Sequence, residues 1–319
     1  MANNVLIIGG LGFIGFHIVR ELQQQNYQVT IGSRTTLTSK ETIAPIVKID
    51  LHQMSDAEIE QIISDFDILI FAGGADDRTF PNEPAETFFY NGNVTPCVRL
   101  ARISRSLKTQ KIIILGSYFS YFNRIRPEWK MAEQHPYVKS RLLQYSESIT
   151  ASEDKTHIVV LEIPYVFGAV PGKIPLWKPL INYIKKSPIV FYTKGGTNIV
   201  AVEQVAAATL GAIENVNQHD CIPIGNNNVT WKQLIGMISK SLGKKRIVVS
   251  IPTPIVKVVA SIAKLYFRLR KKQTGLDVSH FIKIQASKTY LETDDSMRLL
   301  NYQKVDMQKA IDETVAACN

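Results

Sequence analysis

The sequence predicts an α/β fold, with a doubly wound parallel sheet and a smaller, mainly helical C-terminal lobe. Three observations predict it. Short apolar runs, such as residues 68–71 and 112–115, alternate with segments of helical periodicity through the first half of the chain, as is typical of parallel sheets. The first apolar run leads directly into a glycine-rich turn. From about residue 169 the alternation stops, and proline and glycine become frequent.

The N-terminal turn has the composition of a dinucleotide site. The apolar residues 5–8 are followed by Gly9, Gly12 and Gly15, and an apolar-periodic segment begins within the turn. Gly9 would allow a sharp turn after the strand, Gly12 would let a pyrophosphate approach the helix N-terminus, and Gly15 would let the helix pack on the sheet. We therefore expect a Rossmann-like domain. A glycine-rich turn without a ligand is the alternative.

The end of the second predicted strand indicates which cofactor binds. Residues 27–31 form this strand, and Ser33 and Arg34 stand where an acidic residue would hydrogen-bond the adenosine ribose of NAD. A hydroxyl and a guanidinium suit a 2′-phosphate, which a carboxylate would repel. The sequence therefore favours NADP over NAD. An exposed arginine on a loop is the alternative interpretation.

Other candidate ligand-binding residues follow the remaining strands, where doubly wound sheets bind their ligands. We expect Asp50 to accept a hydrogen bond from an adenine amino group, with Leu51 beside the ring. Asn93, within a predicted helix, is either a satisfied buried amide or an anchor for a catalytic water. The other candidates at strand ends are Ala72, Gly73, Gly74, Ser117, Pro164 and Val166.

Composition limits the possible partners and compartments. Three cysteines lie far apart without metal-ligand spacing, so we expect no metal site and a reducing cytoplasm. The apolar runs are too short to span a bilayer, no signal peptide is evident, and no nucleic-acid-binding motif is present. The net charge of +9 indicates either solvated basic faces or attraction to an anionic cofactor or substrate.

Two basic regions leave alternatives open. Arg124, Arg126, Lys173 and Lys178 lie in segments expected to face the cleft, where they would meet an anionic substrate or remain solvated. The predicted helix at residues 254–267 has apolar residues at helical spacing and a basic end. Such a helix can lie on an anionic membrane, but it is more often packed against the protein. We therefore expect no membrane association.

Taken together, these motifs resemble an extended short-chain dehydrogenase/reductase of the NAD(P)-dependent epimerase/dehydratase group. The resemblance runs from end to end and includes a Tyr-Val-Lys-Ser-Arg segment at residues 137–141 and an Ile-Pro-Tyr-Val-Phe-Gly segment at 163–168. Its other elements are Gly9, Gly12, Phe13, Ile14, Gly15, Asp50, Leu51, Ala72, Gly73, Gly74, Asn93, Ser117 and residues 294–302.

The resemblance implies hydride transfer with a Ser-Tyr-Lys group. Tyr137 would be the general acid/base and Ser117 would hydrogen-bond the substrate oxygen, but position 141, where the family uses lysine, is arginine. Arg141 keeps the charge without being equivalent to an ammonium, and Lys139 should point off the face of Tyr137. Three interpretations remain: Arg141 fulfils the role of the lysine, the mechanism or substrate range is altered, or the chain binds cofactor without turnover.

The expected function is therefore an NADP-dependent oxidoreductase or epimerase that transfers a hydride at a hydroxyl or ketone carbon of a small molecule. The alternatives are a nucleotide-sugar epimerase or dehydratase with tightly held cofactor, and a non-catalytic NADP-binding sensor or scaffold. We expect residues 1–168 and about 201–224 to bind NAD(P), and about 169–200 and 225–319 to form the substrate lobe. By analogy with relatives, a homodimer would form through the helices that hold Asn93 and Tyr137.

Overall fold

A computed structural model describes residues 4–35, 43–82 and 84–318, apart from the side chains of residues 253 and 257. The strands are β1 Asn4–Ile8, β2 Gln28–Ser33, β3 Ile46–Lys48, β4 Ile68–Phe71, β5 Lys111–Leu115, β6 His157–Glu162, β7 Tyr165–Phe167, β8 Ile189–Thr193, β9 Gly196–Ala201, β10 Asp220–Pro223, β11 Asn227–Thr230, β12 Ile247–Ile251 and β13 Lys288–Thr289.

The helices surround these strands and dominate the C-terminal part of the chain. They are α1 Phe13–Gln24, α2 Asp56–Ile63, α3 Ala85–Phe89, α4 Thr95–Ser104, α5 Tyr118–Ile125, α6 Met131–Gln134, α7 Pro136–Ser152, α8 Lys178–Lys186, α9 Val202–Asn215, α10 Trp231–Ser241, α11 Thr253–Leu269, α12 Val278–Gln285, α13 Asp294–Leu299 and α14 Met307–Ala316.

A seven-stranded sheet forms the centre, in the order β10-β6-β5-β4-β1-β2-β3. All neighbouring strands in it are parallel. The chain winds outward from β1 in one direction and from β4 in the other, so the strand order reverses between these two strands. Ligands bind at such a switch point, beyond the carboxyl ends of the strands. The predicted doubly wound α/β fold is confirmed.

Two apolar layers hold helices on both faces of the sheet. Side chains alternate along β1, so Val5 and Ile7 belong to one buried cluster and Leu6 and Ile8 to the other. The first layer lies under α1 and α9, which pack together, and the second lies under α2, α4 and α7. A strand that is covered on both faces has apolar residues at every position. For this reason these strands could be predicted from the sequence.

Several helix boundaries follow from local chemistry. Ser55 caps α2 and exchanges hydrogen bonds with Glu58 in a capping box. The predicted helix that contains Asn93 is not one continuous α-helix. A single π-helical turn, Tyr90–Val94, separates α3 from α4 and contains Asn93. Such turns often occur at functional sites.

The C-terminal part contains more β structure than the sequence indicated. β9 is fully buried and pairs with β7, β11 and β13, while β8 pairs with β12 in a separate two-stranded sheet. A third apolar cluster lies between these strands and the helices α8, α10 and α14. The predicted helical lobe is therefore present, but small sheets anchor it to the segment that follows β6.

The environment of α11 differs from its predicted one. The helix forms where expected, but its largest apolar side chains are exposed, so the expectation that they pack against the protein is wrong. Among the described residues, no helix is both long enough and apolar enough to cross a membrane.

Candidate active site

The glycine-rich turn after β1 has the geometry of a phosphate-binding loop. Gly9 has φ of +92°, and a Cβ there would lie 2.9 Å from the carbonyl carbon of Ala72 at the end of β4. A Cβ on Gly15 would lie 2.4 Å from the Gly9 carbonyl oxygen. Both positions therefore require glycine. Gly12 is the N-cap of α1 and supplies no capping side chain, which leaves the first amides of the helix available to a phosphate.

The residues that follow β2 and β3 have different environments. Ser33 ends β2 with its hydroxyl accepting a 3.3 Å hydrogen bond from the Thr35 amide, and Arg34 is exposed beside it. The Asp50 carboxylate accepts from the amides of His52 and Gln53 and so closes its own turn. The Leu51 side chain is buried in the apolar cluster beneath α2, and its contact with an adenine ring stays a prediction.

A cleft of about 550 Å³ opens at the carboxyl edge of the sheet. Ten of the predicted site residues line it: Phe13, Ile14, Ala72, Gly73, Gly74, Ser117, Tyr137, Arg141, Pro164 and Val166. Among the described residues, the other predicted site residues do not line this cleft; they are Gly9, Gly12, Gly15, Ser33, Arg34, Asp50, Leu51 and Asn93. The cleft thus contains the predicted catalytic residues, and the glycine turn and the end of β2 lie outside it.

Ser117, Tyr137 and Arg141 converge on this cleft from two helices. Ser117 caps α5, and its hydroxyl accepts from the Phe119 amide at 3.4 Å. Tyr137 lies in the first turn of α7 and Arg141 lies one turn later, so both side chains share a face. The Arg141 guanidinium carbon is 5.1 Å from the centre of the Tyr137 ring.

The pKa of Tyr137 reflects opposing influences. Burial raises it above the usual value, and the charge of Asp77 raises it further. The charge of Arg141, together with hydrogen bonding from Ser117 and Arg141, acts in the opposite direction. Arg141 therefore favours the phenolate that a general base requires, and burial opposes it.

The Arg141 guanidinium is anchored through Nη1. Its Nη1 donates to the Leu115 carbonyl at 3.4 Å and to Gln144 Oε1 at 2.9 Å, and Gln144 Nε2 donates to the Asn93 carbonyl at 2.9 Å. Among the described residues, its buried Nε has no hydrogen-bond partner. A buried unpaired donor on a cleft residue is consistent with a bound polar group, such as a cofactor ribose.

Asn93 is a satisfied buried amide, which is the first of the two predicted alternatives. Its Oδ1 accepts from the Ala75 amide at 2.7 Å, and its Nδ2 donates to Ser140 Oγ at 3.0 Å. The Ser140 hydroxyl in turn donates to the Tyr137 carbonyl at 2.7 Å. Asn93 thus ties the loop after β4 to the first turn of α7.

Asp77 is a site residue that the sequence interpretation missed. It lines the cleft beside Asp76 and Arg78 in the loop after Gly74. Burial and the neighbouring Asp76 raise its pKa to about 6, although Arg78 and Arg141 act to lower it. The acidic pair directly after the glycines at the end of a strand was the available sequence pattern, but only the folded loop brings Asp77 near Tyr137.

The arrangement agrees with comparison to known proteins. The family model for the NAD dependent epimerase/dehydratase family matches residues 5–225. The chain belongs to this family. The resemblance predicted from the sequence is confirmed, and as a family member the chain is an NAD(P)-dependent enzyme.

Relatives within and around the family have different activities. The chain is 24% identical to a sterol-4-alpha-carboxylate 3-dehydrogenase, decarboxylating, from Dictyostelium discoideum, over 97% of this chain and 99% of that protein. It is 22% identical to UDP-glucose 4-epimerase 2 of Arabidopsis thaliana, over 77% and 82% of the two chains. Among solved structures, gox2253 matches with a TM-score of 0.80 at 17% identity, covering 99% of this chain and 97% of its own.

A solved relative also contains a cofactor. UDP-glucuronic acid 4-epimerase from Bacillus cereus, in complex with NAD, matches with a TM-score of 0.70 at 14% identity, over 99% of this chain and 98% of that one. At this identity the likeness shows the fold alone.

The substrate side of this family member is aromatic rather than basic. Of the four predicted basic residues, Lys173 borders the cleft, and in the described chain Arg124, Arg126 and Lys178 do not. Arg124 instead makes two 2.6 Å hydrogen bonds to the buried Glu162, so it is paired within the protein, and its contact with an anionic substrate stays one of two open alternatives. The large apolar residues that border the cleft include Tyr118, Phe119, Tyr165, Trp177, Tyr192 and Phe281.

Proposed function

We propose that the protein is an NADP-dependent oxidoreductase that transfers a hydride at a hydroxyl or ketone carbon of a small, largely apolar molecule. The observation that carries this proposal is the convergence of Ser117, Tyr137 and Arg141 in one cleft, with the guanidinium carbon 5.1 Å from the phenol ring. General acid/base chemistry needs a titrating group and a means of stabilising its charged form in the same place.

In alcohol oxidation, Tyr137 as phenolate accepts the proton of the substrate hydroxyl while the carbon loses its hydride. A nicotinamide bound in the cleft would supply the acceptor for that hydride. Ser117 donates a hydrogen bond to the substrate oxygen and orients it toward Tyr137. Arg141 stabilises the phenolate, because a cation lowers the pKa of a neighbouring acid. In reduction the same residues act in reverse, and Tyr137 donates the proton.

The choice of NADP rests on the end of β2. Arg34 is exposed next to Ser33, and neither residue adds a negative charge near the position of a 2′-phosphate. The glycine turn and the uncapped start of α1 suit the pyrophosphate. A cofactor seated on that turn would extend past Ala72 and Gly73 toward the cleft residues.

The apolar substrate class rests on the lining of the cleft. Nucleotide-sugar substrates carry a diphosphate, which several unpaired cations usually bind. Arg124 is neutralised by Glu162 and Arg78 pairs with Asp76 at 2.6 Å, so among the described cleft residues Lys173 and Arg141 are the cations outside a salt bridge. The aromatic side chains that remain favour an alcohol or ketone with apolar bulk. A nucleotide-sugar epimerase, as some relatives are named, remains the second candidate. It would recycle its hydride, so net consumption of NADPH would exclude it.

The test is Tyr137→Phe, with Tyr145→Phe on the same helix as the matched control. Tyr145 does not border the cleft in the described chain. We expect Tyr137→Phe to lose activity with NADPH and a panel of apolar ketones by about 10²–10⁴-fold, while NADPH affinity, measured by fluorescence titration, stays within about threefold. Tyr145→Phe should retain both properties. Turnover that survives in Tyr137→Phe would overturn the proposed mechanism.

A further inference from the structure

The helix α11 presents one continuous apolar face to solvent. Seven of its side chains are between 49% and 77% exposed: Ile255, Val258, Val259, Ile262, Leu265, Tyr266 and Leu269. At about 100° per residue these seven positions fall within an arc of about 120°. The opposite side of the helix packs inward through Ala260, which is buried, and Phe267, which stacks on Phe80. The exposed apolar stripe is therefore the outer face of a docked helix.

A soluble monomer seldom exposes so many large apolar residues together, and such patches mark interaction sites. The two-stranded sheet of β8 and β12 also exposes apolar side chains. Ile189 pairs with Ile247 and Phe191 pairs with Val249, and all four are exposed on the same face. The strand β12 and the helix α11, which follow one another in the chain, thus each have an uncovered apolar face.

The charge of this part of the chain indicates what covers the helix. Residues 221–276 contain eleven lysines and arginines and no aspartate or glutamate. The other 26 basic and 28 acidic residues leave the rest of the chain at −2, so this one segment accounts for the net charge of +9. Four of the cations directly follow or end the apolar stripe: Arg268, Arg270, Lys271 and Lys272. An anionic surface complements this combination of charge and apolar area.

From the exposed stripe and its cationic end, we infer that the outer face of α11 docks on an anionic lipid bilayer. The apolar side chains enter the boundary between headgroups and acyl chains, and the four terminal cations contact phosphate groups. The Arg270 guanidinium, 4.6 Å from the centre of the Tyr266 ring, places a cation and an aromatic side chain at the same level, as is common at membrane interfaces.

A second copy of the chain suits this face less well. Two-fold pairing would bring the same basic segment of both copies together, and no acidic residue between 221 and 276 would offset the repulsion.

The docking face lies close to the cleft. The helix α12 packs against α11 and contributes Phe281 and Gln285 to the cleft wall. A protein seated on lipid through α11 therefore holds one wall of its cleft near the membrane surface. The inference concerns binding alone and does not depend on the proposed reaction.

Flotation of the full-length protein with vesicles tests the inference. We expect binding to vesicles of phosphatidylcholine mixed with phosphatidylglycerol, and much weaker binding to phosphatidylcholine alone. At 1 M salt, where the Debye length is about 3 Å, binding should fall. Absence of binding to the anionic vesicles would overturn the inference.

Two sets of variants locate the contact. The charge variant Arg268→Gln/Arg270→Gln/Lys271→Gln should bind about 100-fold more weakly, at about fivefold for each cation. Its control removes three exposed lysines elsewhere: Lys155→Gln/Lys186→Gln/Lys309→Gln.

The apolar variant Ile262→Glu/Leu265→Glu should bind at least about tenfold more weakly. Its control places glutamates at the exposed Leu299 and Val305. Thermal melting shows whether each variant is folded. If the apolar variant does not fold, the charge variant and its control test the inference. Equal binding by a variant and its control would overturn the inference. The inference would also be overturned if the parent protein did not bind vesicles but formed a dimer, detected by sedimentation velocity, that Ile262→Glu/Leu265→Glu dissociates.

Discussion

The charge of Arg141 is expected to account for about two orders of magnitude in rate. Arg141 and Tyr137 are both more than 90% buried, and the guanidinium carbon lies 5.1 Å from the ring centre. With an effective dielectric constant of about 20, two unit charges at that distance interact by about 3 kcal/mol. Since each 1.36 kcal/mol is tenfold in rate, Arg141→Gln should lower kcat/KM by about 100-fold or more. Arg141→Lys, which keeps the charge, should stay within about tenfold of the parent.

The pH profile separates this electrostatic role from a structural one. Removing the cation raises the pKa of Tyr137, because Arg141 lowers it in the native protein. Alcohol oxidation needs the phenolate, so the acidic limb of its kcat/KM profile should move to higher pH in Arg141→Gln. Steady-state oxidation across a pH series, with thermal melting as a control for folding, measures both effects. The electrostatic role would be refuted by an Arg141→Gln variant that keeps the parental kcat/KM and shows no shift in the acidic limb of its pH profile.

Three further predictions address the cofactor site and the fold. Gly15→Ala places a Cβ 2.4 Å from the Gly9 carbonyl oxygen and should weaken NADPH binding at least about tenfold, whereas Gly236→Ala, with no atom within 4 Å of its Cβ, should not. Ser33→Asp should shift the ratio of NADPH to NADH affinity at least about tenfold toward NADH; an unchanged ratio would contradict the NADP assignment. Burial lowers the pKa of His135 from 6.5 to about 4. Between these pH values the unfolded chain binds a proton that the folded chain does not, so the free energy of unfolding should fall by about 3 kcal/mol as the pH is lowered from above 6.5 to about 4. Denaturant titrations of His135→Gln should show a smaller fall in this free energy.

Local sequence rules were sufficient for the sheet and the glycine turn. Buried parallel strands are apolar on both faces, and Gly9 and Gly15 stand where close backbone contacts exclude any side chain. Because every strand of the central sheet runs the same way, residues at strand ends meet at one edge without further information. This is why Ser117, which follows β5, could be expected at the ligand-binding edge, whereas Tyr137 and Arg141 in α7 were expected there from the family resemblance.

Features that depend on distant partners could not be predicted in the same way. The strand β9 forms because it pairs with β7, about thirty residues earlier, and no local pattern specifies that register. Arg124 was a candidate in the sequence, but its pairing with Glu162 requires β6 and α5 to be adjacent. The apolar periodicity of α11 predicted a helix, yet periodicity alone does not show which face is covered.

Arg141 stands where the family uses lysine, and neighbouring groups form hydrogen bonds with its side chain. Nη1 of Arg141 donates to both the Leu115 carbonyl and Gln144 Oε1, and Gln144 donates to the Asn93 carbonyl in the π-helical turn. That turn holds the loop from which Asp77 enters the cleft. A lysine would supply the charge on a more compact group without the guanidinium plane, so Arg141→Lys should weaken the hydrogen bond to Gln144 and leave the Asp77 loop less firmly held. A lysine variant with parental kcat and raised KM would therefore indicate that arginine at this position serves the shape of the cleft as well as the charge on Tyr137.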